Sequence, residues 1–262
     1  SLIRMTTYNP GRPCVYGPSK ASADCPLKAI ARWLLPALVA NLLSSHLVAE
    51  SELRNGRDHP RHWHQAIVSL QVPTSRRVDG LRQHHTEDCS GTLVAQEPLT
   101  VLTAWHCFDG YDDLTQPPRV LLDGQWLEGR LEASGQAMKA DWAVVTVAGY
   151  RTSTVPLALA TSPPSAGMTI TVAGHSRALA PAEGILTFRD DCRVKTVGPF
   201  WFESHCAATE GASGGPVLSG GAQTPQVIGI ISARRKTGEL LAVPASRLPT
   251  HWRQRLEPKR GD

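Results

Sequence analysis

The chain reads as an all-β protein. Short segments rich in β-branched and apolar residues recur from residue 66 onward, clusters of Gly, Pro, Asp and Ser separate them, and one terminal stretch alone has helical character. The first segment is AIVSLQV at 66–72, followed by GTLVA at 91–95 and LTVLTA at 99–104. RVLL at 119–122 and WAVVTV at 142–147 continue the series, and MTITVAG at 168–174, ILTF at 185–188, VIGIISA at 227–233 and LLAV at 240–243 complete it. Strands of this number and spacing build a barrel or a sandwich. The closing RLPTHWRQRL, at 247–256, predicts a short helix. There is no internal repeat and no low-complexity tract.

With 262 residues, 41% apolar and 19% charged, the chain buries a core for one domain of about 200 residues and has sequence to spare. A formal charge of +4 from 27 basic and 23 acidic residues, without a long basic run or interleaved aromatics, argues against nucleic acid as a partner. The six cysteines fall into three groups, Cys14 with Cys25, Cys89 with Cys107, and Cys192 with Cys206, and none forms a CxxC. That pattern fits disulfides in an oxidising compartment better than a zinc site.

Lys28 and Arg32 precede an apolar run at 33–43 (WLLPALVANLL), and SSHLVA follows, ending at Ala49. Charged, apolar and small-residue regions in that order predict a signal peptide cut after Ala49, and hence export. The apolar part is too short for a bilayer span, and Asn41 and His46 suit hydrocarbon badly, so no stable membrane association is expected. Residues 1–49 then form an extension with the signal, 50–62 a flexible polar lead-in, 63–256 the functional domain and 257–262 a tail. Removing the extension would take Cys14 and Cys25 with it.

A serine nucleophile at neutral pH needs a base within reach, a carboxylate that fixes the base's tautomer, and donors aimed at the developing oxyanion. His106 lies in TAWHCF, after an apolar strand and beside Cys107, whose bond to Cys89 would staple its loop. Asp141 opens DWAVVTV, at a strand start where a carboxylate can face a cleft. Its rivals Asp109, Asp112, Asp113 and Asp123 lie in polar turn sequence. Ser213 sits in EGASGGPV, a Gly-rich turn on which backbone N–H groups can converge.

TAWHC, DWAVV and GASGGPV, in this order, resemble the three signature segments of trypsin-like serine proteases, and the resemblance covers roughly residues 63–256. It implies two packed six-stranded antiparallel β-barrels with a short C-terminal helix. The His106–Asp141–Ser213 triad would lie in the cleft between the barrels, and the N–H groups of Gly211 and Ser213 would form the oxyanion hole. By the same resemblance Ser232 supports the triad carboxylate and begins the substrate-pairing strand, and a Cys192–Cys206 bond stiffens the specificity pocket. The activity implied is that of an endopeptidase acting on protein or peptide substrates through an acyl-enzyme, with no metal and no cofactor.

Two positions depart from the family pattern. Its animal members place an Asp directly before the nucleophile, to pair with an amino terminus freed by zymogen cleavage; here that residue is Ala212, and no IVGG-like segment precedes the first strand. The position that holds trypsin's selecting Asp is Ala207, followed by Ala208, so small or medium apolar side chains are the expected specificity. An acidic side chain held by Arg234, Arg235 or Lys236 is the alternative, against the simpler reading of a solvated basic loop.

Other readings are weaker. GHSRA at 174–178 approaches the G-x-S-x-G elbow of an α/β-hydrolase, with Ser176 as nucleophile followed by Asp190 or Asp191 and His205, but Ala178 replaces the final Gly and no β/α alternation follows. His59, His62, His64, His84 and His85 have no carboxylate or cysteine at ligand spacing and read as exposed loop histidines. A protease fold serving only as a binding module would need a broken triad, and all three residues are present.

Overall fold

The computed structural model describes residues 62–112, 116–176, 185–219 and 224–256. The expected signal peptide, the lead-in up to residue 61, the tail, Cys14, Cys25, His59 and Asp113 lie outside them.

A 3-10 turn over His62–Ala66 buries Trp63 and Ala66 and leads into the first sheet. That sheet comprises β1 (Ile67–Val78), β2 (Leu81–Gln96), β3 (Leu99–Thr103), β4 (Arg119–Leu122), β5 (Gln125–Glu128), β6 (Arg130–Ser134) and β7 (Ala143–Val147). Its order is β5-β4-β1-β2-β3-β7-β6. β5 and β6 occupy opposite edges yet only Gly129 separates them in the chain, so the sheet curls until its edges meet there. Close packing explains the glycine: a Cβ at 129 would stand 2.6 Å from Val145 Cγ1.

The second half contributes β8 (Thr169–Ser176), β9 (Ile185–Val197), β10 (Phe202–Ser204), β11 (Pro216–Ser219), β12 (Val227–Arg234) and β13 (Leu240–Pro244). These six close into a barrel in the order β10-β13-β12-β11-β8-β9. The all-β expectation holds, with one refinement: the first lobe is a curled seven-stranded sheet, and only the second is a closed six-stranded barrel. Two core clusters form, one around Leu70, Leu93 and Val144 that also takes in Leu218 and Ile230 of the barrel, the other around Ile170, Phe202 and Leu240. Each such side chain contributes about 1.5 to 3 kcal/mol by leaving water.

Two boundaries differ from the sequence reading. β1 and β2 run well past the apolar segments into a hairpin closed by Asp79 and Gly80, both with positive φ, as a two-residue primed turn requires. The extension is exposed, so its polarity hid it. The final helix, α1 (Thr250–Leu256), starts later than residue 247, because Pro249 keeps Leu248 extended and a separate 3-10 turn takes Ala245–Arg247.

Candidate active site

Every residue of β3 is buried, and the strand delivers the chain into a 3-10 turn, Trp105–Phe108, that carries His106. The turn is pinned to β2 by the Cys89–Cys107 disulfide, with Cα atoms 6.4 Å apart. Asp141, two residues before β7, is fully buried. Its Oδ1 accepts the His106 backbone N–H at 2.7 Å, and its Oδ2 lies 2.7 Å from His106 Nδ1 and accepts the Ser232 hydroxyl at 2.5 Å. An ionised carboxylate only accepts, so this contact fixes the Nδ1–H tautomer and leaves the lone pair on Nε2. Of the rival carboxylates, Asp112 pairs with Arg82, and Asp123 takes Tyr150 and Thr154.

Ser213 follows a tight turn over residues 209–212, closed by the Ala212 N–H on Thr209 O at 3.1 Å. Gly211, at its third position, has φ +88°, the left-handed value a type II turn demands there. Ser213 O accepts the Ser90 N–H at 2.7 Å, and Gly214 N–H donates to Ile231 O at 2.8 Å. A Cβ on Gly214 would lie 2.1 Å from Thr103 Oγ1 and 2.9 Å from Ala104 N. The missing side chain thus lets the serine turn close onto the strand end that feeds His106, next to Ser232.

Direct bonds therefore join His106, Asp141 and Ser232, and backbone packing brings Ser213 to them. Among the described residues no hydrogen bond joins the Ser213 hydroxyl to His106, and neither Gly211 nor Ser213 gives its N–H to a carbonyl.

Ala212 is 3% exposed and belongs to the second core. It lies on Gly174, where a Cβ would stand 2.8 Å from Ala212 Cα and Cβ. The Cys192–Cys206 bond precedes Ala207, which is exposed, and Ala208, which is half-buried. Arg235 bonds Glu203, and Glu239 takes Lys195 at 2.5 Å together with Thr237. These contacts hold the Arg235 guanidinium and the Lys195 ammonium above their ordinary values and the Glu239 carboxyl below its own. Arg235 is thus committed to an acid of its own chain, as a solvated loop would have it, while Arg234 and Lys236 are exposed.

Ser176 is fully buried at the end of β8, and among the described residues its hydroxyl has no hydrogen-bond partner. It stands opposite Ile185, whereas Asp190 and Asp191 lie about five residues along the ladder, roughly 16 Å away, so neither carboxylate of the hydrolase reading stands beside it. His84 and His85 line a cavity of about 360 Å³ with Thr74 and Asp112 beside the β1–β2 hairpin. Among the described residues, the only groups of three potential ligands are built on the disulfide cysteines. The residue that sequence reasoning missed is Ser90, whose buried hydroxyl donates to Gly211 O and accepts the His175 N–H, each at 2.8 Å. Only its place beside Cys89 marked it.

The family model described as a trypsin-like peptidase domain matches residues 89–230, more than half of the chain. The chain belongs to the trypsin-like peptidase domain family. The same architecture recurs in the Rv3671c protease from M. tuberculosis. Its active form aligns with a TM-score of 0.53 and 16% identity, over 84% of this chain and 90% of that one. Its inactive form gives a TM-score of 0.51 and 17% identity, over 80% and 90%. The serine endoprotease from Yersinia pestis aligns with a TM-score of 0.54 and 19% identity, over 75% of this peptidase and 64% of its own chain. At these identities the likeness concerns the fold. No curated protein matches this trypsin-like peptidase significantly.

Proposed function

We propose that this trypsin-like peptidase is an exported serine endopeptidase that cleaves peptide bonds through an acyl-enzyme on Ser213. The observation that carries the reading is the buried Asp141, which accepts the backbone N–H and the ring Nδ1–H of His106 and the Ser232 hydroxyl beside the Gly-rich turn of Ser213. In the proposed cycle His106 Nε2 takes the Ser213 proton as Oγ adds to the scissile carbonyl, and returns it to the leaving amine; water then repeats the sequence on the ester. The hydroxyl–imidazole bond forms as substrate enters, a tightening common at such sites. The N–H groups of Gly211 and Ser213 stabilise the tetrahedral oxyanion.

β12 runs past its ladder with β11, which ends at Pro216 opposite Ile230. Among the described residues nothing pairs with 232–234 on that side, and an extended substrate can pair there as an added strand. With Ala207 and Ala208 following the Cys192–Cys206 bond, small or medium apolar side chains are the proposed preference.

Ala212 supports activity without insertion of a freed amino terminus. Acetylating the terminus of the exported form leaves turnover intact on this reading, and a large loss of rate contradicts it. A peptide-library digest with the protein and its Ser213→Ala variant tests the function itself. Cleavage after small apolar residues, abolished by the substitution, is expected; absence of cleavage by the unmodified protein, or its persistence in the variant, overturns the assignment.

A further inference from the structure

Ser90 is fully buried, and each of its polar groups is engaged. Its N–H donates to Ser213 O at 2.7 Å, and its hydroxyl donates to Gly211 O at 2.8 Å. The hydroxyl oxygen also accepts the His175 N–H at 2.8 Å, which directs the Ser90 proton toward Gly211. The Ser90 carbonyl in turn accepts the Thr103 hydroxyl at 2.7 Å, three residues before His106. One residue thus grips the carbonyls of both amino acids whose N–H groups are assigned to the oxyanion hole, and ties them to the strand end that leads to the base.

We propose that Ser90 is a positioning residue that presets the oxyanion-hole turn, a neutral clamp at a site where residue 212 offers no charge. The inference rests on the assignment of Ser213 and Gly211 made above. Glycine tolerates both signs of φ, so the turn at 209–212 has little intrinsic reason to stay in its type II form. The Ala212-to-Thr209 bond is common to type I and type II turns and does not choose between them. Anchorage must therefore come from outside the turn. The Ser90 hydroxyl is such an anchor: removing it leaves Gly211 O and the His175 N–H without that partner in a buried setting, a change the turn relieves by moving.

The test is steady-state kinetics of Ser90→Ala, with Ser90→Gly as a second variant, both assayed well below their melting temperatures. The clamp predicts a kcat about tenfold lower, or ~1.4 kcal/mol of barrier, with KM within about twofold. Loss of an entire oxyanion donor, about 10² to 10³ in kcat, is the ceiling. Inhibition by a peptidyl boronic acid, whose tetrahedral adduct places an oxygen in the hole, weakens in proportion to kcat/KM. A merely structural role lowers the melting temperature without that proportionality. If the unmodified protein cleaves peptides and both variants keep kcat within twofold, the clamp is wrong and the peptidase assignment stands. If the unmodified protein neither cleaves peptides nor reacts with a phosphonate at Ser213, both fall.

Discussion

Replacing Ala212 by Asp puts a carboxylate where activation by a freed amino terminus would need one, in a site built for a methyl group. Ala212 is 3% exposed and packed into the apolar second core, against Gly174. A buried charge left without a partner costs about 3 to 5 kcal/mol. For a domain of this size each kcal/mol moves the melting temperature by roughly 2 to 4 °C, so a fall of about 6 to 20 °C is expected. The sign with pH follows from burial, which raises the native pKa of an unpaired carboxyl above its unfolded value. The variant's deficit is then smallest below about pH 4, where the group is protonated in both states, and grows as pH rises toward the native value. Thermal melts between pH 3 and 8, for both proteins, measure it. An Ala212→Asp protein that melts within a degree of the parent at neutral pH would contradict an unpartnered buried charge at this site, because it would mean that a cation reaches it.

Two further outcomes are expected. Asp141→Asn keeps the volume but lets the amide donate toward Nδ1, which favours the wrong imidazole tautomer, so kcat falls by about 10⁴ with the circular dichroism spectrum unchanged. An activity within tenfold of the parent contradicts the role of Asp141. Glu239, held below the ordinary carboxylate range first by its bond from Lys195, titrates at lower pH than a free glutamate in an NMR series. Its stabilising contribution is present at neutral pH and lost as pH falls through that lowered value. Lys195→Met moves the titration upward, and an unmoved curve shows that the pair does not form.

The parts of the site that were legible are those whose chemistry leaves a local signature. Ser213 sits among glycines because Gly211 needs positive φ and Gly214 must touch Thr103, and both demands are visible as letters. His106 was marked by the apolar strand before it and the cysteine after it, and Asp141 by the run it opens. Ser90 was not legible, since its bonds reach residues 85 and 121 positions away and leave no pattern in the sequence around it. The same holds for the fold. Strands with buried runs, such as β3 and β12, were read correctly, whereas β5, β6, β10 and β11 span only three to five residues each and were missed. Their pairing is set by neighbours far along the chain, and closure of the first sheet depends on Gly129, an isolated glycine without periodicity around it.

The central claim is that Ser213 is a nucleophile activated by His106. Incubation with a peptidyl phosphonate, followed by peptide mapping in a mass spectrometer, tests it most directly. One covalent adduct is expected, on Ser213, absent from His106→Ala and Ser213→Ala. An unlabelled protein, or an adduct on another serine such as Ser176, would contradict it.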